Sequence, residues 1–290
     1  MTIRPDGRTS VREALRHGAR LLAVAGSDEA DLEAELLLGH SLGLDRVHLY
    51  QRLSDELNAE QEQRYQRLLD RRCNHEPTAY ILGHREFYGL DFEVTPAAII
   101  PRPETEGLVE LVIEHARLRR SGGLSLVDVG VGCGAIAVVL ARELPDAEIT
   151  AVDISRPALD LARRNAEHHG VAARIVFLHG DLLEPLDQRA DVIVANLPYV
   201  SSAELEASPP EIRDHEPRLG LDGGPDGLRL IERLLRQAPA HLNPGGALFL
   251  EIGDTQGAAA SALARDCFPQ ATVAVKPDLA GLDRVLVVRM

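Results

Sequence analysis

The sequence predicts a doubly wound α/β sheet preceded by a smaller helical domain. Three observations carry that expectation. Helix-type and strand-type segments alternate with short connections from residue 103 onward. A glycine-rich turn, Gly130-Val131-Gly132-Cys133-Gly134, joins one of those strands to the next helix. Residues 1–76 hold helical periodicity only. A length of 290 residues suits one large domain plus a small one, and the domains read as 1–76 (helical), 77–100 (a β-hairpin bridge) and 101–290 (the sheet).

The elements follow in order. Ser10-x-x-Glu13 is a capping box ahead of Leu15, Leu21, Leu22 and Val24, because hydroxyl and carboxylate together satisfy free N–H groups of the first turn. A second helix carries Leu32, Leu36 and Leu37, with Gly39 to Gly43 weakening its end, and a third starts after Asn58 with Gln61 as capping partner. Tyr65, Leu68 and Leu69 share one face of that third helix, while Arg64, Arg67, Arg71 and Arg72 read as its solvated side. Alternation in Glu86-Phe87-Tyr88 and Asp91-Phe92-Glu93-Val94 around Gly89-Leu90 predicts a β-hairpin. Pro103 then opens a helix through Leu108, Leu111 and Val112. Strands are expected at 124–129, 148–152, 174–178, 191–195 and 247–252, with helices at 135–144, 157–168, 228–238 and 255–265. Two closing strands, 272–275 and 285–288, flank Gly281 and suit a hairpin. Ligands of such a sheet gather at the carboxyl ends of its strands.

Charge narrows the partners. The net charge of -14, from 45 acidic and 31 basic residues, repels a long phosphate backbone, so a protein or small molecule is expected ahead of nucleic acid. Cys73, Cys133 and Cys267 are too far apart for a Cys-x-x-Cys site and read as free thiols of a reducing compartment. Met1 to Gly7 leads into no apolar core of a signal peptide, and no apolar run is long enough to cross a bilayer, so a cytoplasmic, non-membrane protein is expected. No two of the 11 histidines fall at metal-ligand spacing on a helix, and no metal is expected.

Gly130, Gly132 and Gly134 stand where a strand turns sharply into a helix, so the absent Cβ atoms let backbone approach a ligand. The pattern alone also satisfies a dinucleotide fingerprint, and Asp153, 19 residues past Gly134, suits the ribose hydroxyls of either cofactor. Gly180-Asp181-Leu182 ends the third strand, where Asp181 can accept from an adenine amine and Leu182 can cover the ring. Asp128, just before the glycines, can face the amino group of a methionine moiety or simply hydrogen-bond the loop.

Val192-Ile193-Val194-Ala195 runs straight into Asn196-Leu197-Pro198-Tyr199 at the end of the fourth strand. A planar nitrogen has its lone pair tied up in conjugation, so reaction at it depends on orientation and on stabilising the charge it gains. The Asn196 side-chain oxygen and the Leu197 backbone carbonyl can each accept one N–H, Tyr199 can stack on the planar group, and Pro198 stiffens the turn. Beside the glycine turn, this combination points to methyl transfer from S-adenosylmethionine onto an amide or exocyclic amine. Taken alone, Asn196 to Tyr199 is also an ordinary Asn-x-Pro turn.

Further segments give the chain a resemblance over nearly its whole length. They are Arg85-Glu86-Phe87-Tyr88-Gly89-Leu90, Ile100-Pro101-Arg102-Pro103-Glu104-Thr105-Glu106, His215-Glu216-Pro217, Leu221 to Leu228, Glu251-Ile252-Gly253 with Gln256, and Asp278-Leu279-Ala280-Gly281 before Arg284. With them the chain resembles the HemK/PrmC family of N5-glutamine methyltransferases, which modify class-1 peptide-chain release factors. The resemblance implies a class I S-adenosylmethionine-dependent methyltransferase fold, Rossmann-like with a seven-stranded, mostly parallel sheet. It implies as substrate the glutamine of a Gly-Gly-Gln loop, with the N-terminal helices helping to dock the release factor, and the enzyme is expected to be a monomer. Gly130, Val131, Gly132, Cys133, Gly134, Asp153, Asp181, Leu182 and Asn196 would hold the cofactor. Asn196, the Leu197 carbonyl, Pro198 and Tyr199 would hold the glutamine amide. The family pattern is Asn-Pro-Pro-Tyr, so Leu197 departs from it; since the scheme uses only the carbonyl there, the chemistry should survive with less restraint on Asn196. Asn-Leu-Pro-Tyr also resembles the rRNA adenine dimethyltransferases, although those are expected to be basic and to lack a helical front. A non-catalytic binder of release factor or cofactor is the third reading, disfavoured by the intact glycine turn, Asp153 and Asn196.

Overall fold

The computed structural model describes residues 9–118 and 123–290; Met1 to Gly7, read above for a leader, lies outside the described residues. The chain divides into two compact units, one ending at Gly83 and the other beginning at His84. This division leaves the short helix before Gly83 with the helical unit and the hairpin with the sheet.

The helical unit contains α1 (Val11–Val24), α2 (Ala30–Leu42), α3 (Arg46–Gln51), α4 (Ala59–Cys73) and α5 (Thr78–Leu82). Both expected capping boxes form, Ser10 with Glu13 and Asn58 with Gln61. Gly39 lies inside α2, where an added Cβ would fall 2.7 Å from the Leu44 carbonyl, and Gly43 alone ends the helix in the left-handed region. Leu22, Leu37, Leu38, Leu49, Tyr65 and Leu69 form the core, with Leu36 exposed. One expectation is corrected here. Arg72 is not on a solvated face: it is buried, and its Nε donates to both Glu33 carboxylate oxygens at 2.9 and 3.0 Å. Periodicity placed it on the polar side, but the partner that buries it comes from α2 and left no signal nearby in the sequence.

The sheet unit opens with the antiparallel hairpin β1 (His84–Phe87) and β2 (Leu90–Glu93), which buries Phe87 and Phe92. Then come α6 (Thr105–Leu118), β3 (Ser125–Val129), α7 (Ala135–Glu143), β4 (Glu148–Asp153), α8 (Arg156–His168), β5 (Ile175–His179) and β6 (Ala190–Ala195). After the short helices α9 (Ser202–Ala207) and α10 (Pro210–Arg213) follow α11 (Arg229–His241), β7 (Leu242–Glu251), α12 (Gly257–Cys267), β8 (Thr272–Pro277) and β9 (Asp283–Arg289). The seven strands run in the order β5-β4-β3-β6-β7-β9-β8, with β9 antiparallel to both neighbours and the remaining pairs parallel. Strand alternation sends Leu126, Val192, Val194 and Phe249 to a core shared with α6, α7 and α8. Val127, Ile193, Leu248 and Leu250 pack on the opposite face with α11 and α12. The sheet is therefore apolar on both faces, as a parallel sheet wrapped by helices must be. Among the described residues no helix is long and apolar enough to cross a membrane.

Candidate active site

The strand order reverses between β3 and β6, and their register pairs Asp128 with Val194 and Val129 with Ala195. Gly130 and Asn196 therefore leave the sheet side by side at the switch point, where open α/β sheets bind ligands. On the other side of β3, Val129 pairs with Val152 of β4, and Asp153 pairs with His179 of β5. Asn196, the glycine turn, Asp153 and Asp181 thus follow the ends of four neighbouring strands, a row of about 14 Å at the usual strand spacing.

Each glycine of the turn has its own physical reason. All three have positive φ, at 78°, 56° and 90° for Gly130, Gly132 and Gly134. A Cβ on Gly130 would meet Leu197 Cδ2 at 3.0 Å, and one on Gly134 would meet Ala162 of α8 at 3.1 Å. A Cβ on Gly132 would meet only the Ala98 Cβ at 3.8 Å and the Gly130 carbonyl oxygen at 4.0 Å, so of the three it is the least crowded. The turn is tied down by Gly130 N and Val131 N donating to Val152 O at 2.8 and 3.1 Å. The Val131 and Cys133 side chains are buried in the core, so these two residues can meet a ligand only through backbone.

Asp153 accepts from Gly132 N at 2.9 Å and from Ser155 N at 2.8 Å, one bond per oxygen, which leaves further lone pairs for hydroxyls. Burial raises its pKa against the opposing pull of those two N–H groups. Asp181 is paired with Arg233 at 2.8 Å through Oδ2. Leu182 is buried, and its φ of 52° is uncommon for a side chain of its bulk. Asp128 is fully buried, and neither carboxylate oxygen has a hydrogen-bond partner among the described residues. Burial pushes it up to about 7, only partly opposed by the Ala137 N–H. Orphaned buried oxygens at the strand end that leads into the glycine turn are an acceptor waiting for a donor, and the residues present fit a ligand with an amine and ribose hydroxyls.

On the β6 side, Asn196 Nδ2 donates to Thr105 Oγ1 at 3.0 Å. Among the described residues neither Asn196 Oδ1 nor the Leu197 carbonyl takes a hydrogen bond. The Tyr199 hydroxyl donates to Glu251 Oε1 at 3.3 Å, and the Tyr199 carbonyl accepts from Gln256 Nε2 at 2.8 Å. Burial and the neighbouring carboxylate push the Tyr199 phenol well up, so it stays a neutral ring. The loop Leu221 to Leu228 lies against this turn. Gly223 N donates to Val200 O at 2.8 Å, and a Cβ on Gly227 would fall 2.1 Å from Tyr199 O. Arg102 forms an ion pair with the buried Glu216, whose other oxygen accepts from Ile100 N at 3.1 Å. That pair joins the Pro-Arg-Pro-Glu-Thr-Glu segment to the His-Glu-Pro segment.

Thr105, Glu251, Gln256 and Glu216 are the site residues to which sequence reasoning gave no role, though all lie in segments singled out above. Only the β6–β7 register, with Ala195 opposite Leu250, brings Glu251 beside Asn196.

Residues 13–83 match the model of the PrmC N-terminal domain, and residues 109–209 match that of the methyltransferase small domain. A release factor glutamine methyltransferase of Geobacter sulfurreducens is 44% identical over 288 residues, covering 99% of this chain and 98% of the relative. Another, of Moorella thermoacetica, is 46% identical over 276 residues, covering 95% and 96%. The chain belongs to the release factor glutamine methyltransferase family. Solved structures with the same sheet include a methyltransferase from Pyrococcus furiosus, with a TM-score of 0.50 and 19% identity over 70% of this chain and 90% of that one. A 16S rRNA methyltransferase of T. thermophilus, solved with AdoMet and guanosine, gives a TM-score of 0.51 and 21% identity over 71% of this chain and 49% of that one. These two establish the class I methyltransferase fold; the family assignment rests on the near full-length relatives.

Proposed function

We propose that this chain transfers a methyl group from S-adenosylmethionine to the side-chain amide nitrogen, N5, of the glutamine in the Gly-Gly-Gln loop of class-1 peptide-chain release factors. The observation that carries the reading is the pair of unspent acceptors, Asn196 Oδ1 and Leu197 O, set beside the glycine turn at the switch point. The cofactor supplies a methyl group activated on a sulfonium. Gly130 to Gly134, Asp153, Asp181 and Leu182 hold it, with Asp128 as the buried acceptor for its amine.

The two acceptors take the two N–H bonds of the glutamine amide and so fix the direction of its nitrogen. They also stabilise the positive charge that the nitrogen gains, which conjugation otherwise opposes. Tyr199 covers the amide plane, and its hydrogen bond to Glu251 holds the ring in place. The N-protonated product amide is acidic enough to lose its proton to a carbonyl or water, so the scheme calls for neither metal nor dedicated base. The helical domain docks the release factor, and the enzyme works as a cytoplasmic monomer without contacting nucleic acid.

Incubation with labelled S-adenosylmethionine and a class-1 release factor should place one methyl on the factor and none on a version with the loop glutamine changed to alanine. Label appearing in RNA instead, or in the altered factor, would refute the reading.

A further inference from the structure

Thr105 opens α6, Asn196 follows β6 and Glu251 ends β7, so three separate stretches of chain meet at one point. Thr105 is 4% exposed and Glu251 is 0% exposed. Asn196 Nδ2 gives its hydrogen to Thr105 Oγ1, and the Thr105 hydroxyl faces the Glu251 carboxyl. Glu251 Oε1 accepts from Tyr199, while Oε2 has no hydrogen-bond partner among the described residues.

We infer that ionised Glu251, acting through Thr105, sets which end of the Asn196 carboxamide is offered to the substrate. The inference rests on the reading that Asn196 accepts an N–H of the glutamine amide. In the proposed path the unpartnered Glu251 Oε2 draws the single Thr105 proton, because a carboxylate only accepts. The Thr105 oxygen is then an acceptor, Asn196 must turn its NH2 toward it, and Oδ1 is left free. Protonation of Glu251 undoes this order. Its O–H can donate to Thr105, Thr105 can donate to Oδ1, and the flipped carboxamide presents N–H where the substrate nitrogen needs an acceptor. Thr105 and Glu251 are thus positioning residues.

The groups facing Glu251 are Arg284 from β9, Tyr199 from the turn after β6, and Thr105 and Glu104 from the start of α6. Arg284, Tyr199 and Thr105 favour the ionised form, but burial outweighs them and pushes the carboxyl up to about 7. The proposed wiring is therefore expected to change state near neutral pH.

The test is a pH profile of kcat at saturating cofactor and release factor, paired with 15N NMR of the Asn196 side-chain amide in the free protein. Wild-type kcat should fall as pH drops through about 7, and the Asn196 amide signals should titrate with the same midpoint. Glu251→Gln should lose both the acidic limb and the titration. Thr105→Val should lower kcat about tenfold to hundredfold with unchanged cofactor affinity, and Thr105→Ser should restore it. The NMR arm needs no methyl transfer, so a release factor that wild type leaves unmethylated would sink the proposed function, while the Asn196 amide titration in wild type and Glu251→Gln still decides this inference. An acidic limb or an amide titration that persists in Glu251→Gln overturns it, as does a Thr105→Ser enzyme no better than Thr105→Val.

Discussion

The two units bury charge in opposite ways. In the helical unit Arg72 and Glu33 satisfy each other through two hydrogen bonds, and Thr78 Oγ1 donates to Glu33 at 2.8 Å. In the sheet unit Asp128 and Glu251 are more deeply buried, yet both Asp128 oxygens and Glu251 Oε2 lack a partner among the described residues. A satisfied buried pair holds two helices in register and asks nothing of a ligand. An unsatisfied buried carboxyl costs stability, and such a cost is tolerated where a ligand or a proton state will use the group.

The sharpest way to break the contrast is to remove one partner of the satisfied pair. Arg72→Ala leaves Glu33 charged and half-buried with only the Ser27 and Thr78 hydroxyls to support it, and a broken buried pair costs about 3–5 kcal/mol. Chemical denaturation of the full chain should register that loss while cofactor affinity of the still-folded protein stays put. A loss below about 1 kcal/mol would place this pair with ordinary surface ion pairs and end the contrast.

The opposite sign is expected at Asp128. Its folded pKa, about 7, lies above the unfolded value of 3.8, so the folded state binds the extra proton in that window. Stability is full below about 3.8, falls as pH rises, and reaches its floor once pH passes about 7. Asp128→Asn removes that slope. At pH 8 the variant should therefore gain relative to its own difference from wild type at pH 4, by about 4 kcal/mol. Cofactor binding, measured by calorimetry, should weaken in the same variant. Equal slopes of stability against pH in the two proteins would mean that the buried carboxyl is compensated after all.

Much of this was legible in the sequence, for reasons that differ by element. Capping at Ser10 and Asn58, the glycine turn and the strand ahead of Asn196 are local, so spacing alone exposes them. The short helices α3 and α5 escaped because five or six residues carry too little periodicity to read. Arg72 and Glu33 are 39 residues apart, and Thr105 and Asn196 are 91 apart; nothing in a linear pattern says that such residues meet. The site was thus readable where one strand end carried it. It was hidden where α6, β6 and β7 had to be assembled first.

Leu197 tests that boundary between local and assembled information with the smallest expected effect. Read locally it contributes only a carbonyl, and the family pattern has proline at its position. In the structure its side chain is 4% exposed, belongs to the core over α11 and α12, and approaches the place where a Gly130 Cβ would stand. Leu197→Pro therefore gives up buried aliphatic surface, worth about 1–2 kcal/mol for a partial loss of the side chain. It forfeits no hydrogen bond among the described residues, since the Leu197 N–H makes none. Proline in turn restrains Asn196 to extended conformations, which helps hold the carboxamide in place. The expected outcome is a slightly lower melting temperature with kcat kept or raised. A severe fall in kcat at unchanged cofactor affinity would mean that the leucine side chain wedged against Gly130, and not the carbonyl alone, sets the distance between the glycine turn and the amide acceptors.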